Sequence, residues 1–313
     1  MGISRKEALD YFQSNDLIGI GMEADAVRRH LHPEGVVTYT LDGKIDYSTP
    51  TNNTTYDHLL ESASHIAARG GTAITLQGDV MPTHTIPWFN GLFRTIKQHH
   101  PTLHLHSLTA TEILAIAKQS GSTIEDTLAH LQDAGLGSIP SNDAGILDDA
   151  VQREGASEDW IAVHRAAHTR GMQTTATMTF GSGETLEHRL NHLDKIRCLQ
   201  DEIGGFTSFT PLSFAPQNPS SSGFEEATAV EYLKTLAISR MYLDNIENMQ
   251  SNLETQGMKV VQVSLRFGAN DAGSILVARG ANAATEEQVR QVIRDAGFKP
   301  VQRDTLYRAM FLN

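Results

Sequence analysis

The stretch TAITLQGDVMPTHTIPWFNGLFRTIKQHHPTLHLHSL, residues 72–108, decides the fold. It begins with a β-branched strand at 72–79 and ends with a second apolar strand at 103–108. A helix is predicted between them at 87–99, with Pro87 in its first turn, where a residue without an N–H is tolerated. Such a strand–helix–strand unit predicts two parallel strands joined by a helical crossover.

The same alternation continues along the chain and predicts further units. Strands are predicted at 36–41, 136–140, 173–180 and 206–214, and helices at 54–69, 109–118, 122–134, 157–170, 184–203, 224–245 and 284–296. The strand at 36–41 is expected to end at Asp42-Gly43, a turn signal. Residues 257–267 fit either a strand or a helix, because the apolar residues there alternate but helical spacing is also possible.

About eight strands in a chain of this length favour an α/β fold of the closed (β/α)8 TIM-barrel type over an open sheet. We predict an N-terminal helical extension at 1–35 and a barrel with a C-terminal helix and tail at 36–313. Catalytic residues of such barrels lie at the carboxyl ends of the strands. The polar residues expected there are Gln77, Asp79, His104, His106, Ser107, Ser141, Asn142, Asp143, Thr177, Thr179, Glu184, Thr210, Ser213, Asn270 and Asp271.

Composition narrows the function classes. The net charge is −12 and no block of basic residues occurs, which disfavours nucleic-acid binding. No apolar run approaches the length of a membrane helix, and the N-terminal residues lack the apolar core of a signal peptide. We therefore expect a cytoplasmic protein that acts on a small-molecule substrate and does not bind membranes, and a homo-oligomer stays open. Cys198 is the only cysteine, so no intrachain disulfide is expected.

Seven stretches spread over the chain carry a family resemblance: RRHLHPEGVVTY at 28–39, LHLHSL at 103–108, AGLGSIP at 134–140, TTATMTFG at 174–181, LQDE at 199–202, RFGAND at 266–271 and PVQRDTLY at 300–307. In this order they resemble the radical S-adenosylmethionine (SAM) family of the menaquinone futalosine branch. The resemblance implies a radical-SAM-like TIM barrel. It also favours a helix near 257–267, followed by a last strand at 269–277.

The departures from that family lie at its cofactor loops. The resemblance implies a C-x-x-x-C-x-x-C loop after the first strand, but DYSTPTNNT at 46–54 contains no cysteine. Fe–S clusters are held by several cysteine thiolates, so no 4Fe–4S cluster is expected, whereas SAM stays a possible ligand. Asp79 stands within a loop where the family receives the SAM amino group, and Gly145 stands where the family has a glutamate.

The barrel rule and the resemblance together lead to specific site predictions. His106, Asp79, Asp271 and Glu184 are predicted to be catalytic, and no metal ligands are predicted. Predicted cofactor-binding residues are Tyr39, Gln77, Gly78, Ser107, Ser141, Asn142, Thr177, Thr179 and Asn270. The turn at 181–183 offers backbone N–H groups that could cradle a phosphate or ribose.

Histidine spacing raises further possibilities. His104 and His106 lie two apart on a strand and point the same way, as an acid–base or metal pair or as packed residues. The pairs His164/His168 and His188/His192 have a metal-chelating spacing on helices, but solvated surface positions are expected for them.

Three functions stay open from the sequence. The first is an enzyme on a radical-SAM-like barrel that performs polar group transfer, cyclisation or elimination, with SAM as a possible ligand or electrophile. The second is a non-catalytic protein that binds a metabolite or a partner radical SAM enzyme. The third is a mononuclear metal hydrolase that uses His104, His106 and loop carboxylates.

Overall fold

Two helices precede the first strand of the protein. The structure, a computed structural model, describes residues 2–48, 56–215, 226–277 and 284–310. Helix α1 (Arg5–Gln13) begins at a capping box in which Ser4 and Glu7 satisfy each other's backbone N–H groups. Helix α2 (Leu17–Leu31) packs along α9 (Ala229–Tyr242). The assignment of 1–35 as a separate extension stays a prediction.

Parallel strands form the centre of the molecule. They are β1 (Val36–Asp46), β2 (Ala73–Gln77), β3 (His104–His106), β4 (Leu136–Ile139), β5 (Gln173–Phe180), β6 (Phe206–Ser213), β7 (Asn248–Met249), β8 (Asp271–Leu276) and β9 (Lys299–Gln302). Their order is β7-β6-β5-β4-β3-β2-β1-β8. The two ends meet where Asn270 N–H donates to Met249 O at 3.1 Å and Ser251 N–H donates to Asp271 O at 2.9 Å. The predicted (β/α)8 barrel is therefore confirmed.

Helices cover the outside of the barrel. They are α3 (Asp57–Ala68), α4 (Ile86–His99), α5 (Ala110–Ser120), α6 (Ile124–Ala134), α7 (Ala156–Thr169), α8 (Leu186–Ile203), α9, α10 (Leu253–Ser264) and α11 (Glu286–Asp295). Helix α10 settles the ambiguous stretch in favour of a helix, and β8 follows it as the last wall strand. Within the described ranges, no helix has both the length and the apolar character needed to span a membrane.

Strand β1 is longer than predicted. Asp42-Gly43 is not a turn, because the strand continues to Asp46 and pairs with β2 from Asp42 onward. The missing Cβ of Gly43 explains the residue choice: a Cβ there would lie 2.2 Å from Ile66 Cδ1 on α3. Gly43 therefore allows close helix–strand packing, while Asp42 points to the opposite face of the strand.

We expect Gly43→Ala to destabilise the fold by about 1–3 kcal/mol, because overpacking forces Ile66 out of its place. Urea unfolding of the two single variants and the double variant with Ile66→Ala measures the effect. In the presence of Ile66→Ala, the Gly43→Ala substitution should lower the free energy of unfolding clearly less than it does in the parent protein. Strictly additive costs would show that Ile66 is not the residue that resists the added methyl group.

The C-terminal tail closes the lower end of the barrel. Strand β9 pairs with the first half of β1, which the sequence did not predict. The chain then turns inward, so that Arg303 and Thr305 are buried and Tyr307 takes a left-handed φ of 62°. A bridge between Arg303 and Ala309 folds the tail back on itself. Residues 303–307 thus form the floor beneath the strands.

Candidate active site

A cavity of 390 Å³ lies inside the barrel, above the floor and up to the carboxyl ends of the strands. Side chains at every second position of the strands face it, as the period of a strand requires. Twelve of the residues that line it carry a serine or threonine hydroxyl group: Thr40, Thr75, Ser141, Thr175, Thr177, Thr179, Ser208, Thr210, Ser213, Thr255, Ser274 and Thr305. A lining so rich in hydroxyl groups suits a ligand that both donates and accepts hydrogen bonds.

Asp42 is a carboxyl group in the cavity wall that the sequence analysis missed. Its two oxygens accept hydrogen bonds from Thr40 Oγ1 at 3.1 Å and from Ser274 Oγ at 3.0 Å. Burial raises the pKa of Asp42, and the positive charge of Arg303 only partly opposes this. The even positions Thr38, Thr40, Asp42 and Lys44 are polar throughout, and this alternation could have identified the residue.

The floor contains a buried ion pair between Arg303 and Asp271. Arg303 Nε and Nη2 donate to the two carboxylate oxygens of Asp271 at 2.5 and 3.0 Å, and both side chains are almost fully buried. The Asp271 oxygens also accept from Thr38 Oγ1 and from Gly273 N–H. The prediction that Asp271 is catalytic finds no support, because its carboxylate is saturated and only Arg303 faces the cavity.

At the rim, Lys44 and Glu254 form an ion pair of 2.8 Å across the cavity mouth. Lys44 follows Asp42 on the inner face of β1, and Glu254 lies in the first turn of α10. Both are partly exposed, so this pair contributes little to stability. The pair places the Lys44 ammonium and the Glu254 carboxylate at the opening through which a ligand would enter the cavity.

His106 lies in the cavity wall, as predicted, and His104 lies below it. His106 Nδ1 and His104 Nε2 both approach Ser138 Oγ at 2.7 Å. Burial lowers the pKa of His106 to about 3 and that of His104 to about 4, so both rings are neutral at pH 7. The two facing nitrogens are occupied by the serine hydroxyl and do not converge on one metal position. Among the described residues, no trio of His, Cys, Asp or Glu is placed to hold a metal ion.

Four predicted cofactor-binding residues do line the cavity: Ser141, Asn142, Thr177 and Thr179. They come from the end of β4 and from β5. The Thr177 hydroxyl donates to Ser141 O and thereby ties β5 to the loop after β4. Gln77 shares the inner face of β2 with Thr75 but does not reach the cavity. The exposed Asp79, predicted to be catalytic, lies on the loop after β2 and is also outside it.

The other predicted cofactor-binding residues have structural contacts instead. Tyr39 faces outward and its hydroxyl donates to Glu286 at 2.6 Å. Ser107 Oγ joins β2 to β3 by donating to Ile74 O and accepting from Leu76 N–H.

Two further cofactor-binding predictions are also structural. Gly78 N–H donates to Glu112, and Gly78 O accepts from the Tyr47 hydroxyl. Asn270, which precedes β8, donates a hydrogen bond from Nδ2 to Asn248 Oδ1 on β7, and its Oδ1 accepts one from Arg240 on α9. None of the four residues Tyr39, Ser107, Gly78 and Asn270 lines the cavity.

Glu184 stabilises the turn that the sequence offered as an anion cradle. Its carboxylate accepts from Gly181 N–H at 2.8 Å and Ser182 N–H at 2.9 Å, and from Arg189 Nε at 2.8 Å. Burial alone would raise the pKa of Glu184, but these bonds and the charge of Arg189 outweigh it and lower the pKa. The Gly181 and Ser182 N–H groups are therefore not free for a phosphate, and the structure gives the catalytic prediction for Glu184 no support.

The expectation of surface histidines on α7 and α8 is wrong for three of the four residues. His164, His168 and His192 are buried. His164 Nδ1 and His168 Nε2 both contact Thr174 Oγ1, at 3.0 and 2.8 Å, and His192 Nδ1 accepts from Leu147 N–H at 3.0 Å. These rings are part of the packing between helices and barrel wall.

Comparison with known proteins identifies relatives along the whole chain. A family model described as the CofH/MqnC C-terminal region matches residues 204–312. The chain is 32% identical over 335 residues to cyclic dehypoxanthine futalosine synthase of Halalkalibacterium halodurans, covering 97% of this chain and 90% of that protein. It is 37% identical over 271 residues to 5-amino-6-(D-ribitylamino)uracil--L-tyrosine 4-hydroxyphenyl transferase of Methanothermobacter thermautotrophicus, covering 80% and 74%.

Solved structures share the barrel at low identity. Methylornithine synthase (PylB) has a TM-score of 0.72 at 15% identity and covers 96% of this chain and 94% of its own. The FeFe-hydrogenase maturase HydG of Carboxydothermus hydrogenoformans also has a TM-score of 0.72, at 13% identity, covering 98% and 78%. At these identities the likeness concerns the fold alone.

A closed parallel barrel whose polar cavity reaches the carboxyl strand ends is the architecture of a barrel enzyme with a small-molecule site. The two curated relatives, which cover 97% and 80% of this chain, are enzymes, a synthase and a transferase. The chain belongs to the radical SAM family, in its futalosine branch.

This membership corrects the cofactor prediction. The statement that no 4Fe–4S cluster is expected is contradicted, because members of the family to which the chain belongs normally use a 4Fe–4S cluster and SAM. The residues of this chain do not match the usual thiolate ligand set. Cys198, the only cysteine of the sequence, is exposed on α8 and does not line the cavity.

Proposed function

We propose that the barrel cavity binds a small molecule carrying several hydroxyl groups and that the protein catalyses a polar group transfer, cyclisation or elimination on it. SAM is a candidate second ligand at the strand ends, where its sulfonium already activates the methyl carbon toward a nucleophile. The single observation that carries the proposal is the ring of hydroxyl side chains around a cavity that also contains Asp42 and His106.

The relatives' names support the ligand class. One relative acts on a ribitylaminouracil, a heterocycle with a chain of hydroxyl groups, and another forms a cyclic futalosine. Serine and threonine hydroxyls can each donate and accept, so they match such a chain whichever way its own hydroxyls point. Thr179 and Thr210 suit this role, because their hydroxyls make no hydrogen bond within the described residues.

Two side chains can handle protons in the cavity. Burial raises the pKa of Asp42, which makes its carboxyl group a stronger proton acceptor than an exposed aspartate. His106 is neutral, and its Nε2 makes no hydrogen bond within the described part of the chain. A ligand between β1 and β3 would have one of these groups on each side, which is the arrangement that general acid–base chemistry needs.

Ligand-induced thermal stabilisation tests the proposal. The unfolding midpoint is measured with SAM, S-adenosylhomocysteine, adenosine and 5-amino-6-(D-ribitylamino)uracil, and at least one of them should raise it. We expect Thr179→Val and Thr210→Val to weaken that ligand about 3- to 10-fold each, since each removes one hydrogen bond worth about 1 kcal/mol. Both substitutions keep the side-chain shape.

Thr169→Val is the matched control. Thr169 is exposed at the end of α7, outside the cavity, so its replacement should leave the ligand's affinity unchanged. If none of the four compounds stabilises the protein, the proposal fails in favour of a non-catalytic protein that binds a partner. Equal affinity in the parent, Thr179→Val and Thr210→Val proteins would place the ligand outside the cavity.

A further inference from the structure

The hydrogen bonds between β3 and β4 form a chain of three side chains across the barrel wall. Ser138 Oγ lies 2.7 Å from His104 Nε2 on one side and 2.7 Å from His106 Nδ1 on the other. Ser138 is 2% exposed, so this hydroxyl has no access to bulk water as an alternative partner. Gly137 supports the arrangement, because a Cβ there would lie 2.4 Å from the ring of His104. The glycine lets the ring lie flat against β4.

A serine hydroxyl has only one proton, and this couples the two rings. If Ser138 donates to His106 Nδ1, it must accept from His104 Nε2–H, and both rings then hold their proton on Nε2. If Ser138 donates to His104 Nε2, it must accept from His106 Nδ1–H, and both rings then hold their proton on Nδ1. If Ser138 accepted from both rings, its own proton would have no acceptor among the described residues, so two neutral rings joined through Ser138 are expected to adopt the same tautomer.

The two ends of this chain face different surroundings. His106 lines the cavity, whereas His104 lies at the amino end of β3, near the charges of Asp304, Lys97 and Arg308. The second nitrogen of each ring, His106 Nε2 and His104 Nδ1, is not bonded within the described ranges. Both outer nitrogens thus keep a free bonding position, one on a ring that lines the cavity and the other on the partly exposed ring of His104.

We propose that His104, Ser138 and His106 form a proton relay between the cavity and the underside of the barrel. A proton from a ligand adds to the bare Nε2 of His106. The Nδ1 proton of His106 moves to Ser138 Oγ as the serine proton moves to His104 Nε2, and His104 releases its Nδ1 proton to water. One proton enters and one leaves, and the reverse sequence returns a proton to the ligand.

The relay rests on the proposed function in one respect: the reaction that it would serve is the one proposed for the cavity. Through the relay, the protonation of His104 determines whether His106 Nε2 donates a hydrogen bond to a ligand or accepts one from it. Such a group fits a reaction that removes a proton in one step and returns one in a later step. The test below uses the protein without ligand, so its failure would not bear on ligand binding.

Nitrogen NMR of histidine-labelled protein at pH 7.5 tests the relay. Spectra of His104→Gln and His106→Gln assign the two rings. We expect both rings to be neutral and in the same tautomer, with the N–H that faces Ser138 protected from exchange with water. Ser138→Thr retains the hydroxyl and should preserve both features. Ser138→Ala removes the hydroxyl and should expose that N–H to exchange.

Thermal unfolding of each variant confirms that it is folded before its spectrum is used. Opposite tautomers in the parent protein would overturn the relay, because the single serine proton could not then connect the rings. A charged ring at pH 7.5 would also overturn it. So would unchanged N–H protection in Ser138→Ala, since another group would then be the partner.

Discussion

Arg303→Met is expected to lower the free energy of unfolding by about 3–5 kcal/mol, because it leaves the carboxylate of Asp271 buried without a counter-charge. The parent guanidinium bonds both oxygens of Asp271, and the two side chains are 4% and 0% exposed. Asp271 also belongs to the bridge that closes the barrel between β7 and β8. Urea unfolding of the ligand-free protein measures the loss.

A surface ion pair gives the matched comparison. Arg165 also bonds both carboxylate oxygens of its partner, Glu202, at 2.9 and 2.8 Å, but these side chains are 44% and 50% exposed. Arg165→Met should therefore cost about 1 kcal/mol or less. The double variant Arg303→Met with Asp271→Asn should recover most of the loss, because no unpaired charge remains. An Arg303→Met cost as small as that of Arg165→Met would contradict the argument.

The barrel itself could be predicted from the sequence because its signals are local. Strands β1 to β6 and most of the helices were recognisable within about a dozen residues, and the period of a strand indicates which of its residues share a face. The rule that barrel sites lie at the carboxyl strand ends pointed to His106, Ser141 and Thr177, and all three line the cavity. The weak point was the Asp42-Gly43 pair, whose turn propensity was overridden by strand pairing and by close packing against Ile66.

The missing parts of the site depend on long-range contacts. Arg303 reaches the cavity only because the tail after β9 folds back under the strands. Residue type alone also could not show that the carboxylate of Glu184 accepts hydrogen bonds from the neighbouring Gly181 and Ser182 N–H groups. Polar residues at predicted strand ends are thus candidates, and their hydrogen-bond partners decide which of them remain available to a ligand.

The spacing of the histidines on the helices could not predict that they are buried. An interval of four residues shows that His164 and His168 share a helix face but not which face packs inward. In the structure that face meets Thr174 and the ring of Phe206. The rings are consequently neutral packing groups, and this has a direct consequence for stability in acid.

We expect the protein to lose stability steeply as the pH falls from 7.5 to 5.5. Burial lowers the pKa of His168 to about 4 and that of His192 to about 3, and it also lowers the pKa of His164. In the unfolded chain the same groups titrate near 6.5, so below that pH the unfolded state binds protons that the folded state does not. The stability is present above about pH 6.5 and is lost as the pH falls toward 4.

Each such histidine should contribute about 1.4 kcal/mol to the difference between pH 7.5 and 5.5. His104 and His106 act in the same direction. The buried carboxyls of Asp42 and Glu112 have raised pKa values and act in the opposite direction, but they are fewer. Urea midpoints at the two pH values measure the net effect.

Replacement of one buried ring isolates a single contribution. In His192→Gln the pH-dependent loss should shrink by about 1.4 kcal/mol, because glutamine does not titrate and its carbonyl can accept from Leu147 N–H as the histidine does. His130→Gln, on the exposed surface of α6, is the matched control and should leave the pH dependence as it is in the parent. If both variants reduce the loss equally, burial is not the cause. If the parent is equally stable at pH 7.5 and 5.5, these rings are not kept neutral by the fold.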